Sequence, residues 1–158
     1  MSARPGPVLR WLFRLPAWLY RWRCGWLLGH RFLLLAHVGR RTGRRHATVL
    51  EVLEYREPAR EAVVMSGFGH RANWLRNIDA RPGYAITIGR CRFIAAHRRL
   101  MTEEAVAVIA NYERRHRLAA PVVRLVLSRL LGWPYRGRQG ERERLTAQLP
   151  LVAFRPLA

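Results

Sequence analysis

The sequence predicts an α+β domain, an antiparallel sheet curled into a small barrel with helices gathered towards the chain ends. Three observations predict it. Short apolar, β-branched runs come in neighbouring pairs across tight glycine turns, at 31–38 with 47–55 and at 84–88 with 91–97. Helical patterns bunch in the first 29 residues and between 102 and 149, with one more inserted at 72–80. The strand–helix alternation of a doubly wound parallel sheet does not occur.

At 158 residues the chain has the size of one domain, and half its residues are hydrophobic, enough for a packed core. Residues 1–29 read as a leading amphipathic segment and 30–158 as the barrel domain. The charge is one-sided: 29 basic residues against 10 acidic ones give a formal +19, and every basic residue is arginine. Guanidinium pairs bidentately with phosphate and carboxylate and stacks on flat rings. Such a balance fits nucleic acid, an anionic membrane surface, or a phosphorylated or polyacidic cofactor. Cys24 and Cys91 lie far apart and form no Cys-x-x-Cys pair, which suits a reducing cytoplasm. The six histidines lack metalloenzyme spacing, so no metal site is expected.

Arginines interrupt the apolar residues of 8–26 too often for a membrane-spanning helix or a signal peptide. On a helical wheel Arg10, Arg14 and Arg21 share one face, and Trp11, Leu15, Trp18, Leu19, Trp22 and Trp26 its neighbour, with a kink or fresh start at Pro16. That pattern suits a helix lying in a membrane interface, or one packing its aromatic face on its own domain. Peripheral membrane contact through 8–26 is therefore expected, on the inner face of the cell membrane.

Next comes a strand over 31–38. Gly39-Arg40-Arg41-Thr42-Gly43-Arg44-Arg45-His46 follows as a cationic hairpin tip, and 47–55 as the return strand. A turn at 57–60 leads into the strand Ala62–Met65, which breaks at Ser66-Gly67-Phe68-Gly69 and opens a helix over 72–80. Strands at 84–88 and 91–97 make a second hairpin. Thr102 reads as a capping residue for a helix over 105–117. Helices at 122–131 and 140–149 and a strand at 151–154 complete the chain.

Two stretches carry candidate chemistry. Gly67-Phe68-Gly69-His70-Arg71-Ala72 matches a dinucleotide fingerprint in form, but that fingerprint needs an acid roughly 20 residues on and a parallel βαβ unit. Residues 87–92 offer no acid, and no phosphate loop with Gly-Lys-Ser/Thr occurs. What remains is a glycine turn at a helix start, suited to an anion or a polar ring edge. The arginine turn at 39–46 can grip phosphate or carboxylate by forked, charge-assisted bonds. Trp74 and Asn77 share a helix face beside the glycine turn. Asp79 is the only aspartate, so no hydrolase triad assembles, and cofactor chemistry gains weight.

Gly39-Arg40-Arg41-Thr42-Gly43 resembles the Gly-Arg-Lys-Ser-Gly turn of the deazaflavin-dependent nitroreductase family of small split-barrel oxidoreductases. Ser66-Gly67-Phe68-Gly69 with Asn73-Trp74-Leu75-Arg76-Asn77-Ile78 is similar to its Ser/Gly turn and Trp-Tyr-x-Asn-Leu element. The strand pair 84–88 and 92–96, Tyr112-Glu113-Arg114-Arg115 and residues 149–156 follow in the family's order. The resemblance covers roughly residues 20–157. It implies an antiparallel split β-barrel of the FMN-binding type that binds reduced coenzyme F-420 and passes a hydride to a quinone, nitro compound or similar small electron acceptor. It implies that Arg40 and Arg41 hold the coenzyme's phosphate and polyglutamate tail, with Thr42, His46 and Val49 beside them. Ser66, Gly67, Phe68 and Gly69 would approach the deazaflavin by backbone, and Trp74 and Asn77 would flank it.

His46 stands where the family often has arginine, Leu75 where it has tyrosine, and Ala72 near a frequent proline. No catalytic residue is assigned. The proton for the acceptor comes from solvent or a pocket hydroxyl, with Ser66, Tyr112 and Tyr135 as candidates. The alternatives are a non-catalytic arginine-rich module for nucleic acid or membrane, and a split-barrel reductase using FMN. Of these, nucleic acid is the partner the sequence disfavours, since the aromatics gather near the N-terminus rather than on strand faces. A homodimer is a further expectation.

Overall fold

The computed structural model describes residues 29–157. The amphipathic helix expected over 8–26 lies outside the described residues. Six strands, β1 (Phe32–Val38), β2 (Arg45–Arg56), β3 (Glu61–Met65), β4 (Ala85–Ile88), β5 (Cys91–Arg99) and β6 (Leu151–Pro156), close into a barrel in the order β1-β2-β3-β6-β5-β4. Every neighbouring pair is antiparallel. Among the described residues four α-helices accompany it: α1 (Asn73–Ala80), α2 (Thr102–Arg115), α3 (Ala120–Leu131) and α4 (Gln139–Gln148). The antiparallel barrel expected from the paired runs is present.

The barrel is two sheets sharing two long strands. The start of β5 pairs with β4, as in Ala85 opposite Ile94, and its end pairs with β6, as in His97 opposite Phe154. β2 likewise pairs with β1 over Arg45–Glu51 and with β3 from Val52 on. Its register shifts between Val52 and Glu54, a bulge that turns the strand from one sheet to the other. The bulge throws Leu53 onto the outer face, where it joins the helices. The Leu53 carbonyl accepts a 2.6 Å bond from the Arg115 guanidinium of α2.

Two apolar cores result. Inside the barrel, Leu33, Leu35, Leu50, Val52, Val64, Ile86, Ile88, Val152 and Phe154 pack together with Trp74, Leu75 and Ile78 of α1, which plugs one end. Outside it, Leu53, Val63, Leu151 and Ala153 meet Val108 and Ile109 of α2, Leu127 and Leu131 of α3, and Leu145 of α4. β3 and β6 therefore bury both faces. Ala62–Met65 and Leu151–Phe154 are accordingly apolar throughout, whereas β1, apolar over Phe32–Ala36, buries only alternate residues.

Most boundaries differ from expectation by one to three residues. The larger changes sit at element starts. Arg45 and His46 belong to β2 rather than to the hairpin tip, because the turn closes at Gly39–Arg44. Thr102 is the first residue of α2, not its cap. Met101, in extended conformation, precedes the helix, and Glu103 and Glu104 supply the negative charge that favours a helix start. A short 3-10 turn at Gly69–Arg71 separates the glycine stretch from α1.

Candidate functional site

The arginine turn is a six-residue loop tied across its base. Gly39 N–H donates to the Arg44 carbonyl at 2.8 Å, and Gly43 N–H to the Gly39 carbonyl at 2.9 Å. A Cβ on Gly39 would lie 2.8 Å from Thr42 Oγ1 and 3.0 Å from His46 Nε2, so any other residue there would displace those side chains. Thr42 Oγ1 in turn accepts from Arg44 N–H at 3.3 Å. Arg41 and Arg44 are exposed. Arg41 donates to no described side chain, and Arg40 points inward.

Arg40 is tied to α1. Its backbone N–H and its guanidinium both donate to Asn77 Oδ1, at 3.1 and 2.9 Å, and the guanidinium also reaches Asn73 Oδ1 at 3.4 Å. Asn77 Nδ2 lies 3.2 Å from His37 Nδ1, and His37 Nε2 lies 3.2 Å from Thr48 Oγ1. His37 stacks on His46 with ring centroids 5.7 Å apart. His37 is only 6% exposed. Burial, and secondarily the neighbouring His46, push its pKa below the ordinary histidine value, so the ring is neutral near pH 7. His37 was not singled out by sequence. Its signal was there, since it continues the inward positions Leu33 and Leu35 with a polar residue.

Beside the turn lies a cavity of about 600 Å³ between β1, the start of β2, the α1–β4 connection and β5. Its ionisable lining is His37, Arg45, His46, Arg81, Arg92 and the phenol of Tyr84, with no carboxylate; Val38, Pro82 and Ile94 supply apolar walls. Sequence reasoning missed Arg81 and Arg92 because only the closed barrel brings residues this far apart in the chain to the cavity beside Arg45 and His46. Tyr84 heads a polar chain at the cavity's edge. Its hydroxyl is 2.6 Å from His97 Nδ1, His97 Nε2 is 3.0 Å from Asp79 Oδ1, and Arg99 donates to Asp79 Oδ2 at 2.6 Å. Burial, then Asp79, raises the Tyr84 pKa well above the usual tyrosine value, so the phenol holds its proton.

The glycine turn leads into the N-terminus of α1. Ser66 is fully buried, its N–H donating to the Pro150 carbonyl and its hydroxyl to the Gly69 carbonyl at 2.7 Å. Gly69 has φ +67°, and a Cβ there would meet the Gln148 carbonyl at 2.8 Å. Phe68 projects outward, 62% exposed. Trp74 is buried in the barrel core, its ring 6.2 Å from that of Phe154. Val49 is half-buried, opposite Leu34. The structure thus brings Arg40 onto Asn73 and Asn77 of α1 and sets Thr42 and His46 beside Gly39 at the base of the turn.

The candidate proton donors are all committed elsewhere. Ser66 bonds to Gly69. Tyr112 donates to Glu51 at 2.7 Å, and Tyr135 to buried Glu113 at 2.5 Å in the helix-side core.

The family model for the F420H(2)-dependent quinone reductases matches residues 12–124, more than half of the chain. The chain belongs to this family. It is therefore an oxidoreductase whose cofactor is coenzyme F-420, as the family resemblance implied. Among solved structures, a protein of unknown function from Agrobacterium tumefaciens aligns over 84% of this chain at 16% identity with a TM-score of 0.52; this chain spans about half, 51%, of that protein. An F420-H2 dependent reductase aligns over 80% of this chain and 96% of its own at 17% identity and a TM-score of 0.44. A pyridoxamine 5'-phosphate oxidase-related, FMN binding protein from Nostoc punctiforme covers 98% and 83% at 18% identity and 0.43. The first likeness supports the fold alone, and the other two are too loose to carry more. No curated protein matches the sequence.

The residues of this quinone reductase family member fit the coenzyme's charge. Every ionised or readily protonated side chain lining the cavity is cationic or imidazole, and Arg41 and Arg44 stand exposed beside it. An anionic tail would find donors there without meeting a carboxylate. Among the described residues no group of His, Cys, Asp and Glu could hold a metal, and no helix is long and apolar enough to cross a membrane.

Proposed function

We propose that this protein passes a hydride from reduced coenzyme F-420 to a quinone-type acceptor, with the coenzyme's anionic end at the arginine turn. One observation carries the placement: the exposed tip at Arg41 and Arg44 opens beside a cavity that lacks any acidic lining. Arg40, Arg41, Thr42, His46 and Val49 would serve the tail. The Ser66-Gly67-Phe68-Gly69 turn would face the ring, with Trp74 and Asn77 behind it. When bound, the deazaflavin supplies the hydride. The chain's share is to grip, orient and keep water from the transfer. Exposed Phe68 offers a flat apolar surface to a planar partner, and Trp74 stiffens the wall behind by filling the barrel. With Ser66, Tyr112 and Tyr135 already donating inside the protein, the proton that completes acceptor reduction comes from solvent.

Titrating the full chain with oxidised coenzyme F-420 and following its fluorescence tests the binding. Saturation in the micromolar range is expected, and no saturable binding overturns the proposal. Steady-state assays with the reduced coenzyme then compare menaquinone with nitroaromatic acceptors, and faster turnover of the nitroaromatics would move the acceptor away from quinone. We also propose that residues 8–26 bring the enzyme to the membrane, where lipid-soluble quinones reside, on the strength of their tryptophan and arginine faces. Flotation with anionic liposomes should be lost when those residues are deleted; unchanged flotation refutes this. A homodimer is proposed from the family likeness, and a monomer mass in sedimentation at assay concentrations would exclude it.

A further inference from the structure

The polar chain beneath the arginine turn treats its first two arginines differently. Asn77 is 5% exposed, and its Oδ1 accepts twice from Arg40. A carboxamide can turn over about its last bond with almost no change of shape, so its neighbours decide which end carries oxygen. Arg40 offers only donors. His37 Nδ1, 3.2 Å from Asn77 Nδ2, offers a lone pair when the ring is neutral. The Nε2–H tautomer serves both of its contacts, accepting from Asn77 at Nδ1 and donating to Thr48 Oγ1 at Nε2.

We infer that His37 is a positioning residue: by fixing the Asn77 amide it latches Arg40 to α1, and so holds the turn with Arg41 as the guanidinium that faces an anion. This rests on the proposed coenzyme site and moves Arg40 within it from ligand to latch. The latch spans β1, the turn and α1, so loss of any member frees the loop that presents Arg41.

The groups facing His37 make its charge state matter. His46 and Thr48 face it from β2, Arg40 from the turn and Asn77 from α1; Arg45, Arg81, Arg92 and Tyr84 share the cavity. None is a carboxylate. A proton on Nδ1 would turn the acceptor towards Asn77 into a donor, among cations. Because burial and His46 hold the His37 pKa down, the latch is closed above that pKa and opens as pH falls through it.

The test compares coenzyme F-420 binding by the full-length variants between about pH 5.5 and 8. His37→Leu, which has no acceptor, should weaken binding about five- to tenfold at the upper pH, the worth of one hydrogen bond. His37→Gln, which keeps an acceptor oxygen, should return to within about twofold of the wild type. It should also lack the extra weakening that the wild type shows on acidification. Arg40→Ala should match His37→Leu and add nothing to it, while Arg41→Ala should add fully. Unchanged binding in His37→Leu, or additivity of His37→Leu with Arg40→Ala, overturns the inference. If the wild type binds no coenzyme, the coenzyme placement falls and the latch is read separately from the ring ¹⁵N shifts of His37 in the free protein. A bare Nδ1 with a protonated Nε2 supports the latch, and an Nδ1–H tautomer overturns it.

Discussion

At the scale of single residues, two of the ten acids of this basic chain, Glu113 and Glu104, hold arginines in different surroundings. Glu113 is buried, and both of its oxygens are taken: Oε1 by the Tyr135 hydroxyl and Oε2 by Arg142 Nε and Nη2 at 3.0 and 2.7 Å. Removing it takes the carboxylate from a half-buried guanidinium and a buried phenol. Glu113→Ala is expected to destabilise the fold by about 3–5 kcal/mol, read from urea unfolding midpoints. Glu104 behaves differently because it is partly exposed. Bonds from Arg98, and to a lesser degree Arg56, hold its pKa down to about 2 against the cost of its burial. A depressed carboxylate contributes stability that is present above its unfolded pKa of about 4.5 and lost as pH falls towards 2. Thermal melts between pH 5 and 2 should therefore fall less steeply in Glu104→Gln than in the wild type.

Elements differ in how much of their surface is spoken for. α3 is apolar on two sides: Leu127 and Leu131 enter the helix-side core, while Val122 and Leu125, with Leu118 just before the helix, lie on the exposed face. Leu127→Ala should cost about 2–5 kcal/mol, and Leu125→Ser should stay within about 0.5 kcal/mol, both measured by chemical denaturation. A large effect of Leu125→Ser would mean that this face is covered in solution. The link from β3 to α1 is constrained more tightly. Gly69 combines a positive φ with a carbonyl 2.8 Å from where a Cβ would sit, so Gly69→Ala should destabilise by about 1–3 kcal/mol and disturb the Phe68 surface with it. A neutral Gly69→Ala would show that the turn can relax away from Gln148.

For the whole molecule, charge and topology act together. An ionic cluster of Arg56 and Arg98 with Glu54, Glu61 and Glu104 ties β2, β3, β5 and α2 on the side away from the arginine turn. Those three carboxylates, Glu113 and Asp79 are paired with arginine or histidine, and none of them lines the cavity beside the turn, which holds no carboxylate. Coenzyme binding should consequently weaken as ionic strength rises from about 0.05 to 0.5 M, when the Debye length contracts below the span of the site. Salt-independent affinity would contradict an electrostatic hold on the coenzyme's tail.

The sequence by itself determined the paired strands, the two turns and the one-sided charge, because each is a local matter of periodicity, glycine placement and composition. Apolar runs at 62–65 and 151–154 read as strands but did not show that both faces are buried, since the equally apolar run of β1 buries only alternate residues. Only the tertiary structure decided which arginine of Arg40 and Arg41 is free, since that depends on Asn77, some 37 residues away, and on the nitrogen of His37 behind it. It also decided that Arg45, Arg81 and Arg92 share a cavity and that Trp74 faces the barrel core. A helix or strand period names the face of a residue. Which neighbour that face meets is set by how the barrel closes.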